Sequence, residues 1–334
     1  MAENRIRIVD IAEELGVSTA TVSNVIHGKT KKISDETVKR VQELLEKRQY
    51  IPSMAGILLG QNNSKIIGVV INNHKKYEGH VLEDGFIAAS INSLSLEIDK
   101  AGYFMMIKTT TEWREIAKFA SMWNMEGVVL IGFCEQDYQK LRYNMHIPFV
   151  IYEGFIKDGK GLVNLVIDNF DGGRQMGEHL KSLGHKKVLC IADNNICMDL
   201  QRFEGLKSVI PLAELLVVPM NNEERKSFYN SQMDYLFQFT AVFAVSDYYT
   251  IDFIHFLYSR KISVPDKISV AGFDDSLLSR QVIPPLTTVG QNHRERAKMT
   301  VELLEKMRRN EEIEVQYYLP LMLMERESTK KYNY

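Results

Sequence analysis

The sequence has few cysteines, no long apolar run and no excess of charge of either sign. Its 334 residues include only Cys134, Cys190 and Cys197, an odd number that argues against a disulfide framework. Cys190 lies in an apolar run at 188–191, so we predict a buried thiol there. No run approaches the ~20 apolar residues that span a bilayer, so no membrane partner is expected. The first residues lack an apolar signal segment, so we expect a cytoplasmic protein.

The chain also lacks the motifs that most enzymes carry. Neither a Gly-x-x-x-x-Gly-Lys-Ser/Thr loop nor a Gly-x-Gly-x-x-Gly loop is present. We interpret the pair Gly172-Gly173, between a predicted strand and a helix, as permitting close helix–strand packing. No Cys/His cluster has zinc-site spacing, and no histidine is paired with a nucleophile. We therefore expect no cofactor, no metal site and no catalytic residues. An enzyme acting on sugars or nucleosides would need an acid/base pair that the sequence does not offer.

What is present is a helix-turn-helix pattern at residues 10–26. Gly16 allows the backbone to bend between two short helices, and the Ser18 hydroxyl can cap the second helix. Apolar residues recur at three- and four-residue spacing, which gives each helix one buried face. Small polar residues remain on the outer face of the second helix, the arrangement that enters a DNA major groove. The apolar positions are Ile11, Ala12 and Leu15 in the first helix, and Val22, Val25 and Ile26 in the second.

A third helix is predicted to begin at Ser34, with acidic residues in its first turn favoured by the helix dipole. Residues 1–60 carry nine Lys or Arg against eight Asp or Glu, a weak basic footprint. Lys29, Lys31 and Lys32 cluster directly after the second helix, where phosphates would lie; a solvated loop is the alternative.

From residue 65 onward, strands and helices alternate, which indicates parallel α/β sheets. Helices are predicted near 86–101 and 112–123. Two such sheets, with the chain crossing between them, indicate a two-lobed module that closes on a ligand. Strands of a first set are predicted at 66–71, 103–108, 127–131 and 149–152, and a second set begins at 165–169 and continues at 188–192, 241–245 and 268–273.

The helix-turn-helix segment closely resembles the N-terminus of lactose-repressor-type (LacI/GalR) transcription regulators. The resemblance continues at 33–38 and 50–52, and in weaker form to the C-terminus. The later matching segments are 167–174, 183–185, 202–205, 264–265, 272–275, 284–289 and 325–329.

This resemblance implies a fold with three parts. Residues 1–50 would form a three-helix DNA-binding headpiece and residues 51–63 a hinge. Residues 64–334 would form a periplasmic-binding-protein-like, two-lobed effector module of two parallel α/β sheets that also dimerises. The N-lobe would comprise about 64–164 and 292–322, and the C-lobe about 165–291 and 323–334.

The resemblance also implies contacts with double-stranded DNA. Thr19, Ala20 and Asn24 would read bases, and Ser18, Thr21, Ser23 and the 29–32 loop would hold phosphates. We include His27 and Lys29 in this surface. By position, Leu59 is the leucine that wedges into the minor groove when two hinges fold on DNA. Ser53 and Gly56 depart from the family's usual Asn and Ala, and Gly56 costs roughly 1 kcal/mol of helix stability.

For the effector, positions matching Arg202, Asp247 and Asp274 line the pocket in the family. The adjacent Asp274 and Asp275 could accept hydrogen bonds from sugar hydroxyls or could cap the next helix. Phe86 and Tyr152 could stack on a ligand ring or simply pack in the core. Residues 72–85 and 206–240 depart from the family pattern, and both border the expected cleft.

The sequence therefore predicts a sequence-specific transcription regulator, a dimeric repressor that binds a pseudo-palindromic operator under control of a small-molecule effector. Two alternatives remain open: a small-molecule-binding protein with a vestigial headpiece, and a regulator whose coregulator is a phosphorylated carrier protein. The tail at 330–334 has no heptad run, so no coiled-coil tetramer is expected.

Overall fold

The computed structural model describes residues 6–51, 64–133, 135–154 and 163–332, and the chain divides into two units. The first is Met1–Asn63 and the second is Ser64–Tyr334. Most of the predicted hinge, with Gly56 and Leu59, lies outside the described residues.

The first unit contains three short helices around one small apolar core. Gly16 adopts a left-handed backbone conformation (φ 67°) that ends the first helix, as its lack of a Cβ permits. Ser18 and Ser34 cap the second and third helices by accepting hydrogen bonds from the N–H groups of Thr21 and Thr37. The helices are α1 (Ile8–Leu15), α2 (Thr19–Ile26) and α3 (Asp35–Lys47), and the buried core consists of Ile11, Ala12, Val22, Val25, Val41 and Leu44.

The second unit begins with a six-stranded sheet in which all neighbouring strands are parallel. Its central strands are almost entirely apolar and buried, as expected of strands with helices on both faces. The strand order is β11-β5-β4-β3-β1-β2. The strands are β1 (Ile66–Asn72), β2 (Phe104–Thr110), β3 (Gly127–Ile131), β4 (Phe149–Tyr152), β5 (Val163–Ile167) and β11 (Gln316–Leu319).

A second six-stranded sheet has the order β12-β10-β9-β8-β6-β7, with only the β10–β12 pair antiparallel. Cys190 is fully buried in β6, as predicted. The strands are β6 (Val188–Ala192), β7 (Glu214–Val217), β8 (Ala241–Ala244), β9 (Ser269–Asp274), β10 (Thr287–Gln291) and β12 (Leu321–Met324).

Helices connect the strands and cover both sheets. The α-helices are α4 (Gly85–Lys100), α5 (Trp113–Met122), α6 (Glu135–Asn144), α7 (Asn169–Ser182), α8 (Cys197–Val209), α9 (Asn222–Ser231), α10 (Met233–Leu236), α11 (Asp247–Ser259) and α12 (His293–Arg308). Short 3₁₀ helices occur at Lys75–Tyr77, Val81–Glu83 and Leu277–Arg280.

The chain passes between the two sheets three times, after β5, after β10 and between β11 and β12. We call the first sheet with its helices the first lobe, and the second sheet with its helices the second lobe. The expected fold class, a helical headpiece followed by two parallel-dominated α/β lobes, is confirmed.

One strand was assigned to the wrong sheet. We expected the second set to begin at 165–169, but β5 pairs with β4 and β11 of the first sheet. An apolar run shows that a strand is buried on both faces, but it does not identify the neighbouring strand. The crossing follows β5, where α7 begins and packs on the second lobe.

The interpretation of Gly172-Gly173 was correct for only one of the two glycines. A Cβ on Gly172 would collide with Phe273 of β9, so this glycine permits helix–strand packing. A Cβ on Gly173 would instead lie 1.9 Å from the carbonyl oxygen of Arg202. Gly173 therefore lets two helices, α7 and α8, approach each other closely.

Candidate functional site

A cavity of about 330 Å³ lies between the carboxyl ends of the two sheets. Asn72 and Gly132, at the ends of β1 and β3, contribute to one wall, and Asn194 and Ser246, after β6 and β8, contribute to the other. In the first sheet β1 and β3 are neighbours, and in the second sheet β6 and β8 are neighbours. Each pair lies at the point where the strand order of its sheet reverses. Open α/β sheets bind ligands at such points, so the fold itself directs polar loops into this space.

Arg202 lines the cavity but is also anchored in the second lobe. Its Nε donates to Asn169 Oδ1 at 2.8 Å, and its Nη1 donates to the carbonyl oxygen of Val245 at 2.5 Å. The guanidinium lies 3.7 Å from the ring centroid of Phe273, within the range of a cation–π contact. The guanidinium is thus held on the cavity wall by neutral partners.

Asp274 ends β9 and also lines the cavity. Its φ of 118° is a strained conformation for a residue with a side chain, of the kind found at binding sites. Its Oδ1 accepts a hydrogen bond from Gln291 Nε2 at 2.8 Å. Burial raises the pKa of this carboxyl well above its usual range, and the nearby Arg202 partly opposes that shift.

The neighbouring Asp275 does not cap the next helix, and its carboxylate is engaged within the second lobe. Its carboxylate forms ion pairs with Arg280, at 2.6 Å, and with Arg326. The following 3₁₀ helix is capped by Ser276 instead. Asp275 is therefore a structural residue of the second lobe.

The Asp247 side chain is hydrogen-bonded within the second lobe, and its role in effector binding stays a prediction. Its Oδ2 accepts from the Ser276 N–H and its Oδ1 from the Thr288 hydroxyl, both at 2.7 Å. Burial raises its pKa to about 6. The side chain ties α11 to β10 and is not among the residues that form the cavity wall.

Phe86 and Tyr152 both lie on the wall contributed by the first lobe. Tyr152 is fully buried, and its hydroxyl shares a 2.8 Å hydrogen bond with Thr300. Its ring is 5.1 Å from the guanidinium of Arg296, which also lies 5.7 Å from the Phe86 ring. Both aromatics thus pack against the core and border the cavity at the same time.

Several charged residues of the cavity were missed by the sequence analysis, among them Lys76, Asp193 and Asp199. The Lys76 ammonium, from the divergent 72–85 stretch, lies 3.8 Å from Asp193 Oδ2 of the second lobe. Asp193 also accepts from the Tyr249 hydroxyl at 2.7 Å. Asp199 accepts from Asn194 Nδ2 at 2.8 Å, and its pKa is raised to about 7 mainly by burial and also by the Asp193 charge.

The sequence contained a clue to one of these residues. Asp193 directly follows β6, so the rule that ligands bind beyond strand carboxyl ends could have placed it at the cleft. Lys76 and Asp199 lie in a short 3₁₀ helix and in the first turn of α8, and no local pattern identifies such positions.

The described residues contain no cluster of three or more His, Cys, Asp or Glu side chains arranged to hold a metal ion. Within the same residues, no helix combines the length and apolar character needed to cross a bilayer.

In the headpiece, the predicted DNA-contacting residues lie on or beside α2. Ser18, Thr19, Ala20, Asn24 and Lys29 are exposed, whereas Thr21, Ser23 and His27 are half-buried. Ser18 Oγ accepts from the Thr21 N–H at 3.0 Å, so this hydroxyl fixes the start of α2. Val22 and Val25 face the core, which leaves the face bearing Ala20 and Asn24 open to solvent.

Comparison with known proteins agrees with this organisation. Residues 7–53 match the family model described as bacterial regulatory proteins, lacI family, and residues 178–329 match that of the periplasmic binding protein-like domain. The HTH-type transcriptional regulator DegA of Bacillus subtilis (strain 168) is 27% identical over 299 residues, 85% of this chain and 86% of that protein. The HTH-type transcriptional repressor PurR of Actinobacillus pleuropneumoniae serotype 3 (strain JL03) is 28% identical over 329 residues, 94% of this chain and 93% of the relative.

Among solved structures, the fold is similar to that of the lac repressor dimer bound to operator and the anti-inducer ONPF. The TM-score is 0.83 at 20% identity, covering 98% of this chain and 100% of that one. A second similar structure is the transcriptional regulator CelR–cellobiose complex, with a TM-score of 0.69 at 21% identity, covering 97% and 100%. The headpiece motif, the two-lobed module and the curated relatives agree with the resemblance noted in the sequence: the chain carries a lacI-family helix-turn-helix headpiece followed by a periplasmic-binding-protein-like module.

Proposed function

We propose that this protein is a transcription repressor whose affinity for operator DNA is controlled by a small molecule bound in the cavity. The observation that carries the proposal is the composition of the cavity wall. Lys76, Asp84 and Phe86 come from the first lobe, and Asp193, Arg202 and Asp274 come from the second.

A ligand that contacts both walls binds best when the lobes have one particular separation. A molecule shifts a conformational equilibrium only by its differential affinity for the two states. Polar groups on both lobes provide that difference, because opening the lobes would leave buried carboxyls or ligand hydroxyls without partners. Effector binding would thus favour one arrangement of the lobes.

The DNA-binding surface we propose is the exposed face of α2. Asn24 and Ala20 are exposed there, and an asparagine amide can bond bidentately to adenine. We propose that two copies bind as a dimer, because helix-turn-helix proteins of this kind read two half-sites related by symmetry. The relatives support this proposal: PurR is named a transcriptional repressor, and the lac repressor structure is of a dimer on its operator. We place the protein in the cytoplasm, where such a regulator meets DNA.

Domain limits follow from the same proposal. We assign the headpiece to residues 1–50, the hinge to 51–63 and the effector module to 64–334. Within the module, we assign β5 to the N-lobe and β12 to the C-lobe, because β5 pairs with β4 and β12 pairs with β10.

The test begins with selection of DNA sites from a random pool by the purified chain at low salt. We expect a pseudo-palindromic site. A thermal-shift panel of sugars, sugar phosphates, nucleobases and amines then identifies compounds that raise Tm, because binding to the folded state stabilises it.

The operator affinity is next measured with and without a stabilising compound, for the wild type and for Asp274→Asn. We expect the wild type to respond and the variant to keep operator binding without the response. Asp234→Asn, at an exposed position outside the cavity wall, serves as the control and should respond as the wild type does. A chain that stabilises with ligand but selects no DNA site would instead be a ligand-binding protein with a vestigial headpiece.

A further inference from the structure

The charges of the cavity wall do not balance among the described residues. Glu153 is paired with Arg296 at 2.5 Å and is neutralised by it. The charged groups that remain on the wall are two basic residues, Lys76 and Arg202, and four acidic residues, Asp84, Asp193, Asp199 and Asp274. His74 adds no charge at neutral pH, because burial lowers its pKa.

The two basic groups are already engaged with the protein. The Lys76 ammonium faces Asp193, and Arg202 donates to Asn169 and to the backbone at Val245. These two cations leave three carboxyls, those of Asp84, Asp199 and Asp274, without an ion-pair partner. Asp84 accepts hydrogen bonds from backbone N–H groups, Asp199 from Asn194 and Asp274 from Gln291. The Asp199 carboxyl also shares a hydrogen bond with the Asp193 carboxyl.

An acceptor on the first-lobe wall, the side chain of Asn72, is also unsatisfied. The Nδ2 of Asn72 donates to the Gly132 carbonyl at 2.8 Å, so its Oδ1 is the atom that faces away from this bond. That oxygen is buried and has no hydrogen-bond partner. Buried acceptors without partners cost free energy, so this side of the wall lacks a hydrogen-bond donor at Asn72 among the described residues.

We propose that the effector of this cavity carries a cationic nitrogen, such as the ammonium group of an amino sugar or an amino alcohol, which binds among Asp84, Asp199 and Asp274. This inference rests on the proposed function and specifies the chemical class of its ligand. An ammonium group supplies three donors and no acceptor, which suits a wall on which acceptors and negative charge predominate. A phosphate or carboxylate group carries the opposite charge and accepts hydrogen bonds only, so such a group does not fit among these carboxyls.

Electrostatics support the same assignment. Burial raises the pKa of the Asp84, Asp199 and Asp274 carboxyls, and that of Asp199 reaches about 7. Burial therefore disfavours the ionised forms of these carboxyls when no cation is bound. A bound ammonium would favour their ionised forms and would be attracted strongly in a water-poor space.

The test uses three small molecules of nearly equal size that differ in charge: ethanolamine hydrochloride, ethylene glycol and sodium glycolate. Each is added to the full chain without DNA at 100 mM, with ionic strength matched by sodium chloride, and Tm is measured. For a four-atom ligand a dissociation constant of about 10 mM is a reasonable order of magnitude. We expect ethanolamine to raise Tm by about 3–5 °C and the other two to raise it by less than about 1 °C.

Substitutions on the cavity wall test whether the change in Tm arises from binding in the cavity. Asp274→Asn and Asp199→Asn each remove one carboxylate at constant size, and either change should reduce the ethanolamine shift to less than half. Lys76→Met removes a competing cation and leaves Asp193 unpaired, so it should lower the dissociation constant for ethanolamine at least threefold. Asp234→Asn, outside the cavity, should leave the shift unchanged.

Several outcomes would overturn the inference. These are equal shifts with all three compounds, a larger shift with glycolate or ethylene glycol, no shift with ethanolamine, or an ethanolamine shift that the Asp199 and Asp274 variants do not reduce. Weaker ethanolamine binding in Lys76→Met would also count against it. None of these results affects the operator selection described above, so failure of the charge assignment is distinguishable from failure of the proposed function.

Discussion

The contact between α7 and α8 sets the position of Arg202 and yields a quantitative prediction. A Cβ added to Gly205 would lie 1.9 Å from the carbonyl oxygen of Phe170 and 2.8 Å from the backbone nitrogen of Arg174. Both atoms belong to backbone, which cannot rotate away. To reach an ordinary contact of 3.4 Å, the helices must separate by about 1.5 Å. Gly205→Ala should therefore destabilise the second lobe and shift Arg202, one helical turn away.

The magnitude follows from two opposing effects. Overpacking of a tight contact costs about 3 kcal/mol, at the upper end of its usual range. Alanine in a helix interior gains about 1 kcal/mol over glycine. The net loss of about 2 kcal/mol corresponds to a fall in Tm of about 4–8 °C for a unit of this size.

The assay is thermal unfolding followed by circular dichroism. Glu204→Ala, the adjacent exposed position on α8, is the control and should change stability by less than about 0.5 kcal/mol. If Gly205→Ala unfolds at the wild-type temperature or above it, the gain in helix propensity outweighs any steric cost. That result would contradict the close backbone contact between α7 and α8.

Three further predictions concern the headpiece, the hinge and pH. Asn24→Ala should cost roughly 1–3 kcal/mol on the selected operator and relax selectivity at one base pair per half-site; an unchanged selected site would remove Asn24 from the base-reading residues. Leu59→Ala should weaken operator binding without affecting ligand binding, and Gly56→Ala should strengthen operator binding by favouring the hinge helix, both measured by fluorescence anisotropy. The folded-state pKa of Asp199, about 7, exceeds its ordinary value of 3.8. The folded state therefore binds the proton on this carboxyl more tightly than the unfolded state does, and the resulting stabilisation is complete below about pH 4 and is lost as pH rises through 7. The Tm of Asp199→Asn relative to wild type should therefore be higher at pH 8 than at pH 5, and a constant difference would contradict the raised pKa.

The sequence predicts local features better than partnerships between distant residues. The headpiece helices, their serine caps and the buried strands follow from spacing and cap residues, which act over a few positions. The pairing of β5 with the first sheet could not be read from its apolar run, because buried parallel strands have similar compositions.

The cavity shows the same limit. Arg202 and Asp274 were selected through family positions, and both lie on its wall. Asp247 accepts hydrogen bonds from Ser276 and Thr288. These two partners lie in a loop and a strand that are distant in sequence, so the contacts could not be predicted from the residues around Asp247. Lys76 was not predicted for the same reason, because it faces Asp193, which lies on the other lobe and is distant in sequence.

The most direct test of ligand-controlled DNA binding is reciprocity. For one compound that raises Tm in the thermal-shift panel, the dissociation constant of the compound is measured by titration with and without saturating operator, and that of the operator with and without saturating compound. Linkage requires both ratios to be equal, and allosteric coupling is typically 5–150-fold. We predict matching ratios of at least fivefold in the wild type and ratios near one in Asp274→Asn. Ratios near one in the wild type would contradict control of DNA binding through this cavity.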